Sequence, residues 1–269
     1  ISIETLIGKK GKSQGNMRDL EPSEISDYAC EDADITLQLK NIFEKEIKKP
    51  HLKDLFYDME MPLVEVLMEM EEEGITIDSK ALAEYSKELD STLIDLDSQI
   101  KELAGMEFNT DSPKQMGEVL FEKLKISAKA KKTKTGQYAT SEDVLEKHKH
   151  DHPIVPLILE YRQLRKLKST YVDALPTYCD QNDGRIHTNF MQTVTATGRL
   201  SSNNPNLQNI PIRSEKGREI RRAFVSRDKD HKLMAVDYSQ IELRIIAALS
   251  EDPNMIQAFR DGLDIHAAT

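Results

Sequence analysis

Only two cysteines, Cys30 and Cys179, occur in 269 residues. That is too few for a disulfide framework or a cysteine-rich zinc site, and it agrees with a reducing compartment. No apolar run approaches the length needed to span a bilayer, and no charged-then-apolar leader precedes a cleavage site. A cytoplasmic protein without a membrane segment is therefore expected. The chain also lacks an initial methionine, running from Ile1 to Thr269, and reads as an excised piece of a longer polypeptide. Its length suffices for two domains and a real core. Beyond one lysine cluster it has neither internal repeats nor low-complexity tracts.

The net charge of −10 at first argues against nucleic acid, because phosphate binding needs Lys and Arg. Its distribution reverses that impression. Residues 51–104 carry four Lys against fifteen Asp and Glu, whereas residues 161–222 carry eleven Lys and Arg against five acids. Between them, residues 123–134 hold six Lys and no acid. The acidic excess belongs to one helical region, and a duplex can meet a basic surface elsewhere.

Residues 1–20, rich in Gly, Lys and Ser, read as loop, and Pro22 to Ile47 as helix. From Leu52 a helical repeat runs through Leu55, Phe56, Met59, Leu63, Val66, Leu67 and Met70, with Pro62 expected to kink it and Gly74 to end it. Ile75 to Asp78 reads as a brief extended link. A second long helix is expected from Ser79 to Ala104, closed by Gly105. The two apolar stripes must bury against each other or against a third helix. Ser112-Pro113 marks a helix start, Thr140-Ser-Glu-Asp143 a capping box, and Pro153 to Leu175 another helix. The pattern then changes. Gln181-Asn-Asp-Gly184 makes a turn, Arg185 to Thr193 alternates as a strand, and Leu233 to Asp237 supplies another. The expected class is α+β and predominantly helical, with antiparallel helices followed by a partial sheet and a boundary near residue 180.

Leu233-Met-Ala-Val236 meets Asp237-Tyr-Ser-Gln-Ile-Glu-Leu-Arg244, which reads as a buried strand turning into an amphipathic helix. A carboxylate at such a strand end can face a cleft and hold a hard divalent cation for phosphate chemistry, although a single Asp there is more often an N-cap or turn residue. The full octet decides between these readings, because it resembles the first palm motif of family A DNA polymerases, the bacterial DNA polymerase I group. Thr195-Ala-Thr-Gly-Arg-Leu-Ser-Ser202 and Pro205-Asn-Leu-Gln-Asn-Ile-Pro211 resemble that family's primer-template contact segment. Asp264 to Thr269 resembles the segment leading into the fingers, Lys166 to Tyr171 the thumb base, and Tyr28 to Asp32 the last exonuclease motif.

The resemblance implies residues 1–50 as the remnant of a 3′–5′ exonuclease-like domain, 51–180 as a helical thumb, and 181–269 as the first part of the palm leading to the fingers. It implies DNA-templated synthesis by transfer of deoxynucleoside triphosphates to a primer 3′ hydroxyl with two Mg²⁺ ions, in replication or repair. By the same resemblance Asp237 bridges the metals with the Tyr238 carbonyl as a further ligand, and Glu242 blocks a ribose 2′ hydroxyl. Ser239, Gln240 and His266 lie at the incoming nucleotide. Arg199 is assigned to the primer-terminal minor groove, Asn203, Asn206, Gln208 and Asn209 to duplex contacts, and Arg213 to the backbone or the site.

The acid-free, Gly-terminated run with Lys131, Lys132 and Lys134 corresponds to the thumb tip, and Arg162, Lys166, Lys168, Ser169 and Thr170 to the same groove. Tyr28 and Asp32, four apart on a helix, correspond to a water-orienting Tyr and a metal-binding Asp of the proofreading site, whose first two acidic motifs are missing. The family's later palm Asp-Glu pair and basic fingers helix are also missing, so this chain alone is expected to be inactive. A monomeric habit, nucleoid association, and the alternatives of a noncatalytic duplex-binding module or an acidic helical scaffold complete the expectations.

Overall fold

A computed structural model describes residues 1–127, 130–212 and 214–263. They fall into two compact units, Ile1–Ala223 and the described part of Phe224–Thr269. Segments on either side of residue 180 pair with each other inside the first unit.

In the first unit the expected N-terminal loop contains a short helix, α1 (Ile3–Ile7), and a 3₁₀ turn at Met17–Asp19, capped by the Ser2 and Asn16 side chains. α2 (Pro22–Ile47) keeps its expected bounds, with Pro22 in its first turn and a capping box between Glu21 and Glu24. None of its residues is buried, and Ile35, Leu37, Leu39, Ile42 and Phe43 are exposed. The run from Pro50 is not one helix. It comprises α3 (Pro50–Asp54), a π-helical turn at Leu55–Glu60, and α4 (Met61–Glu73). Pro62 has no N–H for the carbonyl four residues back, and just before it the Met61 N–H reaches Phe56, five back.

Gly74 ends α4 with φ +61°, and a Cβ there would lie 2.8 Å from both the His187 ring and the Ile186 carbonyl, so the position demands glycine. β1 (Ile75–Ile77) follows, then α5 (Ser79–Ala104), whose N-cap Asp78 accepts from the Lys80 and Ala81 amides at 3.1 and 3.0 Å.

α6 (Pro113–Glu118), started by Ser112, runs into a π turn at Val119–Lys123. The 140–143 segment departs from the expected capping box. α7 (Glu142–Leu145) has Ser141 as N-cap without a side-chain cap bond, and the Thr140 hydroxyl instead accepts from Arg162 at 3.1 Å. The expected 153–175 helix divides into α8 (Ile154–Leu167), a π turn at Lys168–Val172, and a 3₁₀ turn at Leu175–Tyr178. The core forms where the stripe Leu82, Leu89, Leu93, Leu96 and Ile100 of α5 meets Ile154, Ile158, Leu164 and Leu167 of α8, with Met116, Val119 and Leu120 also buried. Each such side chain contributes roughly 1.5–3 kcal/mol relative to exposure. The third-helix alternative is the one realised: α5 packs on α8, whereas α4 buries only Leu67.

β2 (Arg185–Ile186) pairs antiparallel with β1, Ile75 opposite Ile186 and Thr76 opposite Arg185. β3 (Asn189–Met191) and β4 (Ser201–Asn203) form an antiparallel hairpin with Phe190 opposite Ser202. The single strand expected over 185–193 is therefore interrupted at His187-Thr188, whose side chains are committed elsewhere. α9 (Glu215–Arg222) closes the unit.

The second unit contains β5 (Phe224–Val225), α10 (Ile241–Ser250) and α11 (Pro253–Arg260), the last capped by Asp252. Leu233 to Asp237 is not a strand, which corrects the sequence expectation. A buried strand exists by virtue of ladder partners and cover on both faces. Here Leu233, Met234 and Val236 are 55, 87 and 82% exposed.

Candidate nucleic-acid interface

The polar segment between β3 and β4 is shaped by its own hydrogen bonds. Thr195 Oγ1 donates to the Arg199 carbonyl at 2.7 Å, and Gly198, at φ +75°, supplies the left-handed residue that lets the loop turn back, leaving Arg199 exposed at its end. Beneath it a buried knot ties the hairpin to the next segment. Thr188 Oγ1 lies 2.7 Å from Ser202 Oγ and donates to the Asn203 and Pro205 carbonyls at 2.9 and 2.7 Å. Ser202 Oγ also accepts the Leu207 amide at 3.1 Å. Asn206 Oδ1 accepts the Gln208 amide at 3.0 Å, and the Tyr171 hydroxyl donates to the Asn209 carbonyl at 2.6 Å. The segment is thus fastened by backbone groups and small hydroxyls, while Asn206, Gln208 and Asn209 are exposed. Asn203 is half-buried, its amide nitrogen 3.0 Å from Met191 Sδ and its oxygen without a hydrogen-bond partner.

The hairpin rests on α4, a connection no sequence pattern announces. Glu71 accepts the Phe190 amide, and Gln192 Nε2 donates to the Glu60 carbonyl and carboxylate at 2.9 and 2.7 Å. Glu60 and Glu71 belong to the acidic region of residues 51–104, and their partners lie more than a hundred residues away.

His187 sits in the same junction, with Nδ1 2.7 Å from the Glu71 carbonyl and Nε2 3.1 Å from Asp183 Oδ2. Both neighbours are acceptors, so the ring satisfies both only as the imidazolium. The Glu71 carbonyl, and against the opposing effect of burial the Asp183 carboxylate, raise its pKa above the usual value. A raised folded-state pKa means a contribution that is complete below the unfolded value of about 6.5 and is lost as pH rises through the folded value. Melting temperature measured from about pH 6 to about pH 8 should therefore fall less in His187→Gln than in the parent. An equally steep fall in the variant would exclude the ring as its source.

Of the residues assigned to the thumb groove, Lys166, Ser169 and Thr170 are exposed along the end of α8 and its π turn. Lys168 differs. Its place on the helical face of Tyr161 and Leu164 turns it inward, where it is 8% exposed and donates to Ser86 Oγ at 2.7 Å and Asp173 Oδ2 at 2.8 Å, with Asp90 at 3.3 Å. Burial opposes its charge, but the hydrogen bonds to Asp173 and Asp90 outweigh burial and raise its pKa. Its charge joins the turn after α8 to α5. The half-buried Arg162 donates to the Thr140 carbonyl and hydroxyl, and burial lowers its pKa.

Lys131, Lys132 and Lys134 lie on a tight exposed turn, with the Thr133 amide donating to Gln137 O at 2.7 Å and the Ala139 amide to Lys131 O at 2.8 Å. Lys132 Nζ stands 4.8 Å from the centre of the Tyr138 ring. Tyr28 and Asp32 lie on α2, half-buried and exposed respectively.

In the second unit Asp237 and Tyr238 are exposed, followed by a turn at Ser239-Gln240 in which Gln240 has φ +54°. Glu242 is exposed in the first turn of α10, where the helix dipole favours a carboxylate. Arg244 Nε donates to the Ser239 carbonyl at 2.9 Å and its guanidinium lies 4.5 Å from the centre of the Phe259 ring, which fixes the Asp237–Gln240 turn to α10 and α11. Among the described residues no group of three or more His, Cys, Asp or Glu could hold a metal ion, and no helix is long and apolar enough to cross a membrane. Arg213, and the segment Asp264 to Thr269 with His266, lie outside the described residues.

The chain is similar to DNA polymerase I of Chloroflexus aurantiacus, 47% identical over 272 residues, and of Pseudomonas aeruginosa, 46% identical over 271 residues; both matches cover 100% of this chain and 29% of the relative. The chain therefore spans less than a third of the length of these relatives. A solved structure, the POL domain of Pol1 from M. smegmatis in complex with DNA primer-template and dNTP, is similar with a TM-score of 0.76 and 43% identity, over 86% of this chain and 40% of that one. A sequence model of DNA polymerase family A matches residues 79–269, and the chain accordingly belongs to DNA polymerase family A.

Proposed function

We propose that this chain is the thumb and early palm of a DNA-directed DNA polymerase that extends a primer along a template. In this reading residues 1–50 close an exonuclease-like domain, 51–180 form the thumb, and 181–269 begin the palm and lead to the fingers. The observation that carries it is the braced β3–β4 loop, which presents Arg199 with Asn206, Gln208 and Asn209 exposed behind it, in a chain of family A. Minor-groove acceptors occur at similar positions in every base pair, so Arg and amide donors can hold a correctly paired duplex without reading its sequence. The solved relative in complex with primer-template and dNTP supports the same partners.

Asp237 and the Tyr238 carbonyl are hard oxygen donors on consecutive residues, the type Mg²⁺ accepts, and they fit as part of its six-oxygen shell. Bound there, Mg²⁺ would supply Lewis-acid stabilisation of charge on the triphosphate and lower the basicity of the primer hydroxyl. Mg²⁺ takes six oxygens, so further donors would complete its shell, and in this reading the chain binds duplex without catalysing transfer on its own. Ser239 and Gln240 flank the incoming sugar, and Glu242 crowds a ribose at its 2′ position. His266 and Arg213 are assigned by resemblance to the triphosphate and to the backbone or site.

Primer extension with Mg²⁺ by a full-length polymerase bearing this sequence tests catalysis, and salt-dependent duplex binding by this chain tests the interface. An affinity that does not respond to salt would refute the interface.

The lysine turn is proposed to meet phosphates without base contacts. Replacing Lys131, Lys132 and Lys134 by Ala should reduce the slope of log affinity against log salt by about 2.7, at ~0.9 per neutralised phosphate. An unaltered slope would show the turn to be merely solvated.

A further inference from the structure

The strand leading into the Arg199 loop alternates strictly. Thr188, Phe190 and Gln192 are inward or half-buried, whereas Asn189, Met191 and Thr193 are exposed. Contacts to α4 and to the π turn before it fall on this strand: His187 on the Glu71 carbonyl, the Phe190 amide on the Glu71 carboxylate, and the Gln192 side chain on Glu60. The last of these lies only three residues before Thr195, the first residue of the loop. The side-chain acceptors are both carboxylates, the Glu60 and Glu71 backbone carbonyls accepting as well, and hydrogen bonds to ionised groups are shorter and stronger than neutral ones. A one-residue slip of the strand would turn Phe190 and Gln192 to the opposite face and Met191 inward, so these contacts also specify the register.

We propose that Glu60 and Glu71 are positioning residues for primer-template binding. Glu60 through Gln192, and Glu71 through the Phe190 amide, set the height and register of the loop that presents Arg199. The inference rests on the proposed role of that loop in duplex contact. It also carries a sign that separates it from simple electrostatics. Removing an acid from a DNA-binding surface relieves repulsion and strengthens binding. Loss of a positioning acid weakens it.

The test is fluorescence anisotropy of a labelled primer-template duplex titrated with this chain. Glu60→Leu should weaken binding about tenfold, the scale of one charge-assisted hydrogen bond. Glu60→Gln, whose amide oxygen still accepts from Gln192, should stay within about twofold. Gln192→Glu alone should weaken binding, and the double exchange Glu60→Gln with Gln192→Glu should restore it, because donor and acceptor trade places. Should circular dichroism show Glu60→Leu unfolded, Gln192→Leu, at the half-buried donor of the same bond, carries the same tenfold expectation.

Arg199→Ala is the control. If it weakens binding and the leucine variants bind as tightly as the parent or tighter, the positioning role is overturned and the proposed interface stands. If Arg199→Ala leaves affinity unchanged, the proposed interface fails and the inference with it. Weakening by both, with recovery in the double exchange, supports both.

Discussion

In a full-length polymerase bearing this sequence, Asp237→Ala should reduce single-turnover nucleotide addition with Mg²⁺ by at least ~10³-fold, a barrier increase of about 4 kcal/mol. Affinity for the primer-template duplex should stay within several-fold of the parent. The split follows from where the contacts lie. The residues proposed to hold the duplex belong to the β3–β4 loop, the segment after it and the lysine turn, whereas Asp237 belongs to the exposed stretch before α10. Its carboxylate is one of few hard donors there, and Mg²⁺ that uses only one or two protein carboxylates has no substitute when one is removed. Asp237→Asn keeps the shape while removing the charge, and should fail similarly. A variant that still extends primers within tenfold of the parent rate would remove Asp237 from metal binding.

Glu242→Ala should raise ribonucleotide incorporation relative to deoxynucleotide incorporation by about 10²-fold, read as the ratio of kcat/KM for matched rNTP and dNTP. Glu242 stands in the first turn of α10, and the Arg244 bond to the Ser239 carbonyl fixes the backbone just before it. A carboxylate held in that way and desolvated by a bound sugar is costly to crowd with another hydroxyl. Removing it relieves the crowding for rNTP and leaves dNTP nearly unaffected. The change should therefore appear on the ribonucleotide side of the ratio. Sugar discrimination that stays at the parent value would assign Glu242 to the helix terminus alone, where the dipole suffices to explain a carboxylate.

The elements legible in the sequence are those whose signals are local. α2 and α5 have their expected bounds because Pro22, Asp78 and Gly105 act within a turn of themselves. Ser112 likewise starts α6. What is not legible depends on residues far away in the chain. Leu233 to Val236 has the composition of a buried strand, but a strand requires neighbours, and none of the described residues pairs with it. Lys168 lies in a basic, hydroxyl-rich stretch that suggests phosphate, yet Ser86 and Asp90, some eighty residues earlier, turn its charge inward.

The candidate site was named by motif, since Asp237 to Arg244 and Thr195 to Pro211 carry the family resemblance. Its bracing was not legible. Nothing near Glu60 or Glu71 in sequence indicates that their acceptors hold Gln192 and Phe190. Composition also misled about charge, because a net −10 conceals the exposed lysines at 131, 132 and 134.

The π turns at Leu55–Glu60, Val119–Lys123 and Lys168–Val172 have a consequence for how this chain tolerates length change. Each is an α-helical path holding one surplus residue. Deleting a residue inside α5 would rotate everything beyond it by about 100° and swing its leucine stripe off the core. At Leu55–Glu60, which joins α3 to α4, deleting one tightens the winding to the ordinary ladder and leaves both flanks facing as before. That turn is therefore a place where the helical region can lose a residue without losing its shape.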